Sequence, residues 1–380
     1  MKYCKNCLMP DTFPGMEFDN NGLCSACVYS QNSQEEINWD LRRQQLEEIA
    51  NTAKEKAQGT WDCAVGVSGG KDSTFQALYA RDELGLNCLL VNCYPDGITE
   101  VGKQNLENLV NLGFDLVSLR PNPKVMKAVM RRAFYEYGNP VKPSEYPLFA
   151  VTYQTALAYG IPLIIQGENP GLTLGSTKGY GSDDNAFNIA RGNTLQGGKA
   201  SDWEGDGIEK KHLLMYQFPD HEVLEKSGIR AIYLQYYARE WSPENNAEFS
   251  IQHGLQGREE LPWLQISKYA KYGSVDSDFQ LFNPMIKYYK FGESRWTEAC
   301  SKQIRTGEIT REEAIARVKK WDGYCDEKHI QICCDYLEIT VDEFWRVMEE
   351  KWINKKLFRK VGPRQWEPLF TPGTDFDESR

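Results

Sequence analysis

The chain has 380 residues, 41% of them hydrophobic, and a formal net charge of −10 at pH 7. This length suits two or three domains with a substantial core, and no apolar run approaches the roughly 18–20 residues of a membrane span. Basic residues occur at most in adjacent pairs such as Arg131 and Arg132. That is too sparse for an electrostatic nucleic-acid footprint, so we expect no nucleic-acid partner.

The chain contains eleven cysteines. The number is odd, and Cys63, Cys88 and Cys93 fall in predicted buried strands. We therefore interpret these as small core residues in a reducing compartment rather than as part of a disulfide framework. The N-terminus is rich in cysteine rather than basic and then apolar. We accordingly expect no signal peptide and a cytoplasmic protein.

The first thirty residues contain two Cys-x-x-Cys pairs. Cys4 and Cys7 form one pair and Cys24 and Cys27 the other, with sixteen residues between the pairs. This spacing is typical of a tetrahedral zinc site in which each pair holds the metal from one tight turn. The alternatives are an iron–sulfur cluster, which also uses four thiolates, and a redox pair. Because all four thiolates would be committed to a closed site, we predict a structural zinc ribbon over residues 1–30.

A helix is predicted to follow the ribbon. Residues 33–36 form a capping box, and apolar residues such as Leu46 and Ile49 follow at helical spacing. The pattern predicts one long helix over residues 31–59 that links the ribbon to the central domain.

The most informative stretch is a Gly-rich turn between a strand and a helix. An apolar, β-branched run over residues 61–67 predicts a buried strand, and residues 74–84 predict a helix. A strand that enters such a turn and opens a helix directs backbone N–H groups at an anion. The turn consists of Val67, Ser68, Gly69, Gly70, Lys71, Asp72 and Ser73.

The residues of this turn suit phosphate binding. Gly69 and Gly70 let the backbone approach phosphate oxygens, while Lys71 adds a donor and Asp72 adds a carboxylate that could hold Mg²⁺. The turn is not a Walker A loop, because that pattern needs a Gly where Val65 stands and a Ser or Thr at the position of Asp72.

Strands and helices alternate from residue 60 to residue 240. Alternation of this kind predicts an α/β domain with a parallel sheet covered by helices on both faces. Ligands of such sheets lie beyond the carboxyl ends of the strands, which would bring Asn92, Gly167 and Glu168 to the Gly-rich turn. The polar segment from 167 to about 206 is either functional or disordered, and its start at the carboxyl end of a strand favours a substrate loop. The predicted strands are 61–67, 86–93, 115–119, 161–166 and 229–234.

Residues 241–380 are predicted to form a mainly helical region, with capping boxes at 310–313 and 340–343. Trp345, Trp352, Trp366 and Phe370 could form a sugar-stacking platform, but an aromatic core is the favoured interpretation. The four histidines are too scattered to form a metal site.

The turn resembles the S-G-G-x-D-S PP-loop of N-type ATP pyrophosphatases, which have an adenine nucleotide alpha hydrolase-like fold. The whole chain resembles bacterial N-acetyl sugar amidotransferases of surface-polysaccharide (LPS O-antigen) biosynthesis. The ribbon, residues 66–73, Gly167-Glu168-Asn169 and residues 335–345 carry this resemblance. Glu338 departs from the pattern, because a small turn residue is expected before the last helix.

The resemblance implies that the protein converts a sugar acetamido group to an acetamidino group with ATP, Mg²⁺ and ammonia, and that Zn²⁺ fills the ribbon. It implies catalytic roles for Lys71 and Asp72, the latter also as the Mg²⁺ contact, and a role for Glu168 in orienting or deprotonating ammonia. ATP would be bound by Val67, Ser68, Gly69, Gly70, Lys71, Asp72, Ser73, Asn92 and Gly167.

Ammonia is expected to come from another protein. No cysteine fits the nucleophile turn of a glutaminase with a histidine partner. The resemblance implies partners like the glutaminase and cyclase-barrel subunits of imidazole glycerol phosphate synthase.

Two alternatives remain open. A PP-loop tRNA-thiolating enzyme also combines this turn with Cys-x-x-Cys pairs, although such an enzyme should be basic. A non-catalytic zinc-ribbon scaffold would not need every phosphate-contacting position intact.

Overall fold

The computed structural model describes residues 1–35, 37–174, 183–190, 197–261, 263–264 and 269–377. Residue 36 of the capping box and residues 175–182 and 191–196 of the polar segment lie outside these ranges.

The larger sheet has five strands, all parallel. The first strand of the chain lies at its centre between the second and the fourth, and the third and fifth strands form the edges. Val65 at the centre pairs with Leu90 on one side and Ile165 on the other. The predicted α/β class with a parallel sheet is confirmed. The strands are β1 (Cys63–Gly66), β2 (Cys88–Cys93), β3 (Asp115–Leu119), β4 (Leu163–Gln166) and β5 (Arg230–Tyr233).

Fourteen α-helices lie in the described part of the chain. The first nine are α1 (Ser25–Glu35), α2 (Trp39–Ala57), α3 (Lys71–Leu78), α4 (Glu100–Asn111), α5 (Pro123–Tyr137), α6 (Glu145–Tyr159), α7 (Pro170–Thr173), α8 (His221–Ser227) and α9 (Pro243–Gln252). The last five are α10 (Phe279–Phe291), α11 (Arg295–Thr306), α12 (Arg311–Trp321), α13 (Glu327–Leu337) and α14 (Val341–Val347).

Where the sequence predicted one long linking helix, the structure has two. The first, α1, ends at Glu35, and α2 begins at Trp39. The side chain of Asn38 accepts a hydrogen bond from the backbone N–H of Leu41, which is the usual way for a new helix to begin.

Both faces of the central strands β1, β2 and β4 are buried, as is usual in a parallel sheet. Successive strand residues alternate between two hydrophobic clusters, so that Val65 faces α2, α3 and α4 whereas Ala64 faces α6. Because the five strands are all parallel, their carboxyl ends lie at the same edge of the sheet.

The C-terminal helices α10, α13 and α14 pack against α5. Phe134, Phe282 and Phe344 form the centre of this cluster, with ring centroids of the neighbouring pairs 5.1–5.2 Å apart. Trp345, Trp352 and Trp366 pack against it and Phe370 is buried within it, which confirms the predicted aromatic core. The chain ends in an antiparallel hairpin that the sequence did not predict, formed by β6 (Phe358–Gly362) and β7 (Gln365–Pro368).

Glu338, the departure noted in the sequence, ends α13 in a left-handed conformation with φ +56°. A non-glycine residue is strained there. Its carboxylate receives Lys127 Nζ at 2.9 Å and Arg131 Nη1 at 3.0 Å, both from α5. These ion pairs explain how a charged residue occupies the position of a small one.

None of the helices in the described part of the chain combines the length and the apolar character needed to cross a bilayer.

Candidate active site

The Gly-rich turn connects β1 to α3, as predicted. Gly69 has φ +82°, and a Cβ there would lie 2.8 Å from the carbonyl oxygen of Gly102 on α4. Only glycine fits both conditions. Gly70 precedes α3 with an extended backbone and no capping side chain. The first N–H groups of α3 are therefore left for a bound anion.

Ser73 closes the turn. Its Oγ accepts from the Ser68 N–H at 3.3 Å and donates to the Gly70 carbonyl at 3.1 Å. The hydroxyl thus fixes the backbone conformation that exposes the N–H groups.

Lys71 and Asp72 stand next to each other at the start of α3. Lys71 Nζ bonds Asp72 Oδ2, and Asn246 Nδ2 donates to Asp72 Oδ1 at 2.9 Å. Burial alone would raise the pKa of Asp72, but the charge of Lys71 and the bond from Asn246 outweigh it and hold that pKa below its ordinary value. The Asp72 side chain is 42% exposed. An ionised, accessible carboxylate at this point suits a hard cation such as Mg²⁺.

A cavity of about 540 Å³ lies beyond the carboxyl ends of β1 and β4. This is the point where the strand order of the sheet reverses, which is where ligands of such sheets bind. The cavity is lined by Ser68, Gly70, Lys71, Asp72, Glu168, Pro243, Glu244, most of residues 269–276, Arg295, Glu298 and Lys302, among others.

Helix α11 supplies the wall opposite the turn. Arg295, Glu298 and Lys302 are spaced so that they share one face of the helix. Lys302 Nζ lies 3.3 Å from Glu168 Oε2. Burial alone would lower the pKa of Lys302, yet the surrounding carboxylates, Glu168 first among them, raise it above its ordinary value.

Arg295 differs from the other cations of the cavity. It bonds Ser274 Oγ and makes no direct ion pair with a carboxylate of the described chain. Burial lowers the pKa of Arg295, because its guanidinium loses contact with water and the charges of the nearby carboxylates do not fully compensate for that loss. Such a group is suited to receive an anion from a ligand.

Two further acids of the cavity are shifted toward their neutral forms. Burial raises the pKa of Glu244, and the charge of Glu308 adds to the effect. Burial likewise raises the pKa of Asp276.

The structure brings some of the predicted site residues to the cavity but not all of them. Ser68, Gly70, Lys71, Asp72 and Glu168 line it, whereas Val67, Gly69, Ser73, Asn92 and Gly167 do not. Asn92 is fully buried. Its Nδ2 donates to the Val67 carbonyl at 2.8 Å, and its Oδ1 accepts from Ser118 Oγ at 2.9 Å. Its amide therefore supports the turn from within the sheet.

Sequence reasoning missed the contribution of α9 and α11. Arg295 and Lys302 were available as charges at helical spacing, the one signal that could have marked a polar helix face. Nothing in the sequence could place that face against residues more than a hundred positions earlier.

The four ribbon cysteines form a buried cluster whose sulfur atoms all lie within 4.8 Å of one another. The Cys4–Cys27 and Cys7–Cys24 sulfur distances are both 3.7 Å. Tetrahedral zinc with bonds of about 2.3 Å to sulfur places its ligands about 3.8 Å apart, so the arrangement fits this ion. The predicted four-cysteine cluster is confirmed, and zinc as its metal stays a prediction.

Backbone and side-chain donors surround the cluster. The Cys24 N–H lies 3.3 Å from Cys4 Sγ, and Asn6 Nδ2 lies 3.4 Å from Cys27 Sγ. Such bonds stabilise thiolates at a metal centre. Hydrogen bonding with Cys24 lowers the pKa of Cys27 to about 7.

The ribbon packs against the helix that lines the cavity. Leu8, between the two cysteine pairs, donates its N–H to Ser301 Oγ of α11 at 3.1 Å. Its side chain is fully buried and joins a cluster with Trp296 and Cys300 of the same helix. The ribbon therefore helps to position Arg295 and Lys302.

Fold and site together define an α/β protein with a candidate anion-binding cavity at the carboxyl edge of a parallel sheet. Residues 266–369 match a family model described as "LPS biosynthesis protein WbpG-like, C-terminal domain". The matched range contains α11 and therefore one wall of the cavity. No curated protein matches the chain. The match supports a role for the protein in polysaccharide biosynthesis, and such a role suggests an enzyme.

Proposed function

We propose that the protein is an ATP-dependent amidotransferase that acts on an N-acetylated, nucleotide-linked sugar in surface-polysaccharide biosynthesis. It would activate the acetamido oxygen with ATP and replace it with ammonia, to give an acetamidino sugar, AMP and pyrophosphate. One observation carries the proposal. The cavity has the phosphate-binding type of turn on one wall, and its opposite wall belongs to the segment similar to an LPS biosynthesis domain.

The chemistry follows from what an amide lacks. Its oxygen is a poor leaving group, so ammonia cannot displace it directly. Attack of that oxygen on the α-phosphorus forms a new P–O bond and breaks the bond to the β-phosphate, which releases pyrophosphate. Ammonia then adds at the carbon and loses a proton, and the C–O bond breaks. AMP leaves with the former amide oxygen.

The chain would contribute positioning and charge neutralisation. The free N–H groups at the start of α3 and the ammonium of Lys71 would hold the phosphates. Asp72 has the donor chemistry for Mg²⁺, which would neutralise phosphate charge when bound.

The opposite wall would handle the acceptor and ammonia. Arg295 presents a planar fork that makes no direct ion pair with a carboxylate among the described residues, so it is the candidate for an anionic group of the nucleotide-linked sugar. Glu168, paired with Lys302 at the end of β4, is the candidate to orient ammonia or to accept its proton.

The proposal includes ammonia from a second protein, a glutaminase acting with a cyclase-like barrel. A glutaminase needs a cysteine thiolate activated by a base. Burial instead raises the pKa of four cysteines outside the ribbon, Cys93, Cys300, Cys325 and Cys334, to about 12. Thiols with such values are poor nucleophiles at neutral pH.

The test is turnover by the purified chain with Mg²⁺, ATP, an ammonium salt at raised pH and a panel of diacetamido nucleotide-sugars. We expect one or more acceptors to trigger AMP and pyrophosphate release together with a product in which NH replaces oxygen, detected by mass spectrometry. The Lys71→Ala variant should stay folded and lose this activity. An enzyme that binds ATP but forms no acceptor-dependent AMP with any member of the panel would overturn the proposal.

A further inference from the structure

Helix α9 packs against the start of α3, where the Gly-rich turn ends. Asn246 and Ser250, one turn apart on α9, are both fully buried against the start of α3. Asn246 Nδ2 donates to Asp72 Oδ1 at 2.9 Å, and Ser250 Oγ donates to the Lys71 carbonyl at 2.8 Å. One helix thus holds both charged residues of the turn, although 174 positions separate Asn246 from Asp72.

The oxygen of the Asn246 amide takes no part in the hydrogen bonding of the described chain. Its Oδ1 is buried and has no hydrogen-bond partner in the described chain. A buried acceptor left unpaired lowers stability, and native proteins rarely retain one without a reason. If α9 needed only packing at this position, an apolar residue would serve better. The bond to Asp72 is the one contact that accounts for an amide here.

The orientation of the amide follows from the same bond. An ionised Asp72 carboxylate is an acceptor only, so it must face the Nδ2 group rather than the Oδ1 of Asn246. The two oxygens of Asp72 are then divided, with Oδ1 bound to Asn246 and Oδ2 to Lys71.

These two hydrogen bonds together determine the orientation in which the Asp72 carboxylate faces a ligand. Asp72 lines the cavity and keeps part of its surface open. Without the amide, the carboxylate would be free to rotate about its side-chain bonds and to pair more completely with Lys71. Both charges would then be less available to the phosphates and their cation.

We propose that Asn246 is a positioning residue, which holds the Asp72 carboxylate in the orientation that binds the cation of an incoming Mg²⁺–nucleotide complex. Asn246 itself does not touch the nucleotide. The inference rests on the proposed function to the extent that Asp72 serves Mg²⁺ and ATP.

The experiment is calorimetric titration with α,β-methylene-ATP, an analogue that resists cleavage between the α- and β-phosphates. Each protein is titrated once with Mg²⁺ and once with EDTA. The wild type should bind more tightly with Mg²⁺. In Asn246→Ala this gain should fall about 10- to 100-fold, as for other residues that orient metal ligands. Its affinity in EDTA should stay unchanged, whereas its melting temperature should fall because a buried hydrogen bond is lost.

Two further variants sharpen the test. Asn246→Leu keeps the approximate volume of the side chain but removes the donor. It should lose as much of the Mg²⁺-dependent gain as Asn246→Ala without opening a cavity, so it carries the test if the alanine variant folds poorly. Asn245→Ala removes the exposed neighbour on the same helix and should bind like the wild type.

The outcomes separate the two proposals. Equal losses with Mg²⁺ and with EDTA would show that Asn246 serves only the fold, and wild-type affinities in both Asn246 variants would show that it has no role. Either result would overturn the inference and leave the proposed function intact. A wild type that binds no nucleotide under either condition would overturn both.

Discussion

Lys302 Nζ lies 3.3 Å from Glu168 Oε2 and so connects α11 to the carboxyl end of β4 across the cavity. The two residues are 134 positions apart in the chain. The Glu168 side chain is 39% exposed, which leaves it accessible to a ligand while the ammonium of Lys302 fixes its direction. A carboxylate held in this way is suited to accept a proton from an incoming amine.

We therefore expect Glu168→Gln to remain folded and to lose acceptor-dependent AMP formation by about 100-fold or more, because an amide cannot take up the proton. The cost in stability should be about 1 kcal/mol or less, since the ion pair is partly exposed. Steady-state turnover with ammonium and a denaturation curve measure the two effects.

The control is Glu222→Gln, which removes an exposed ion pair with Lys226 within α8, and neither residue lines the cavity. Near-normal turnover in Glu168→Gln would contradict the assigned role.

Arg295→Lys tests the opposite wall. Lysine keeps the charge but loses the planar fork, so the KM for an anionic acceptor should rise about 10- to 100-fold, the equivalent of one charged hydrogen bond. ATP affinity should not change, because the nucleotide is proposed to bind at the turn. Lys319→Ala, an exposed cation on α12, is the control. An equal rise in the KM for ATP would argue against a separate acceptor contact.

The sequence predicted those parts of the protein that depend on local patterns. The strand β1, the turn around Gly69 and the two cysteine pairs each show their chemistry within a few adjacent residues. The order of the strands, however, depends on contacts between distant segments. The same holds for Arg295 and Asn246, which reach the site only because α11 and α9 pack across it.

Two local patterns also have a structural use that the sequence did not reveal. Asn92 stands at the end of β2, where ligand contacts are common, but its amide bonds Val67 and Ser118 inside the sheet. The linking helix is interrupted at Asn38, whose ability to begin a helix competes with continuation of the preceding one.

Metal removal tests the ribbon. We predict one Zn²⁺ per chain, lost in Cys24→Ser, with a fall in the free energy of unfolding of several kcal/mol because metal binding and folding are coupled. AMP formation should fall as well, since Leu8 connects the ribbon to α11. Elemental analysis and chemical denaturation provide the measurements.

Cys325→Ser, which changes a half-buried cysteine outside the ribbon, should keep its zinc. Iron in place of zinc, with a visible charge-transfer band, would contradict the prediction and favour the tRNA-thiolating alternative.

A buried carboxylate should make stability depend on pH. Glu293 is fully buried, 3.1 Å from Lys287 Nζ, and burial raises its pKa to about 8 from an ordinary value of 4.5. The folded state therefore binds more protons than the unfolded state between these values, and stability falls as pH rises through this window. Glu293→Gln removes this dependence.

The effect is measured by urea unfolding of both proteins at several pH values between about 5.5 and 8.5. This range covers the upper part of the window. The stability of Glu293→Gln relative to the wild type should increase with pH. A difference that stays constant across the range would show that Glu293 does not titrate there.

The last prediction concerns the source of nitrogen. Free ammonia is scarce at neutral pH because ammonium dominates, and the cysteines outside the ribbon are buried or half-buried. Burial raises the thiol pKa of Cys300 and Cys325 to about 12 and raises that of Cys333 as well. The chain alone should therefore use ammonium salts at raised pH and should not use glutamine. Turnover of the purified chain with a competent sugar acceptor and either nitrogen source measures this directly. Adding a glutaminase with its cyclase-like barrel should restore the use of glutamine at neutral pH. Turnover with glutamine in a preparation free of other proteins would contradict the prediction, because it would require a thiolate nucleophile within this chain.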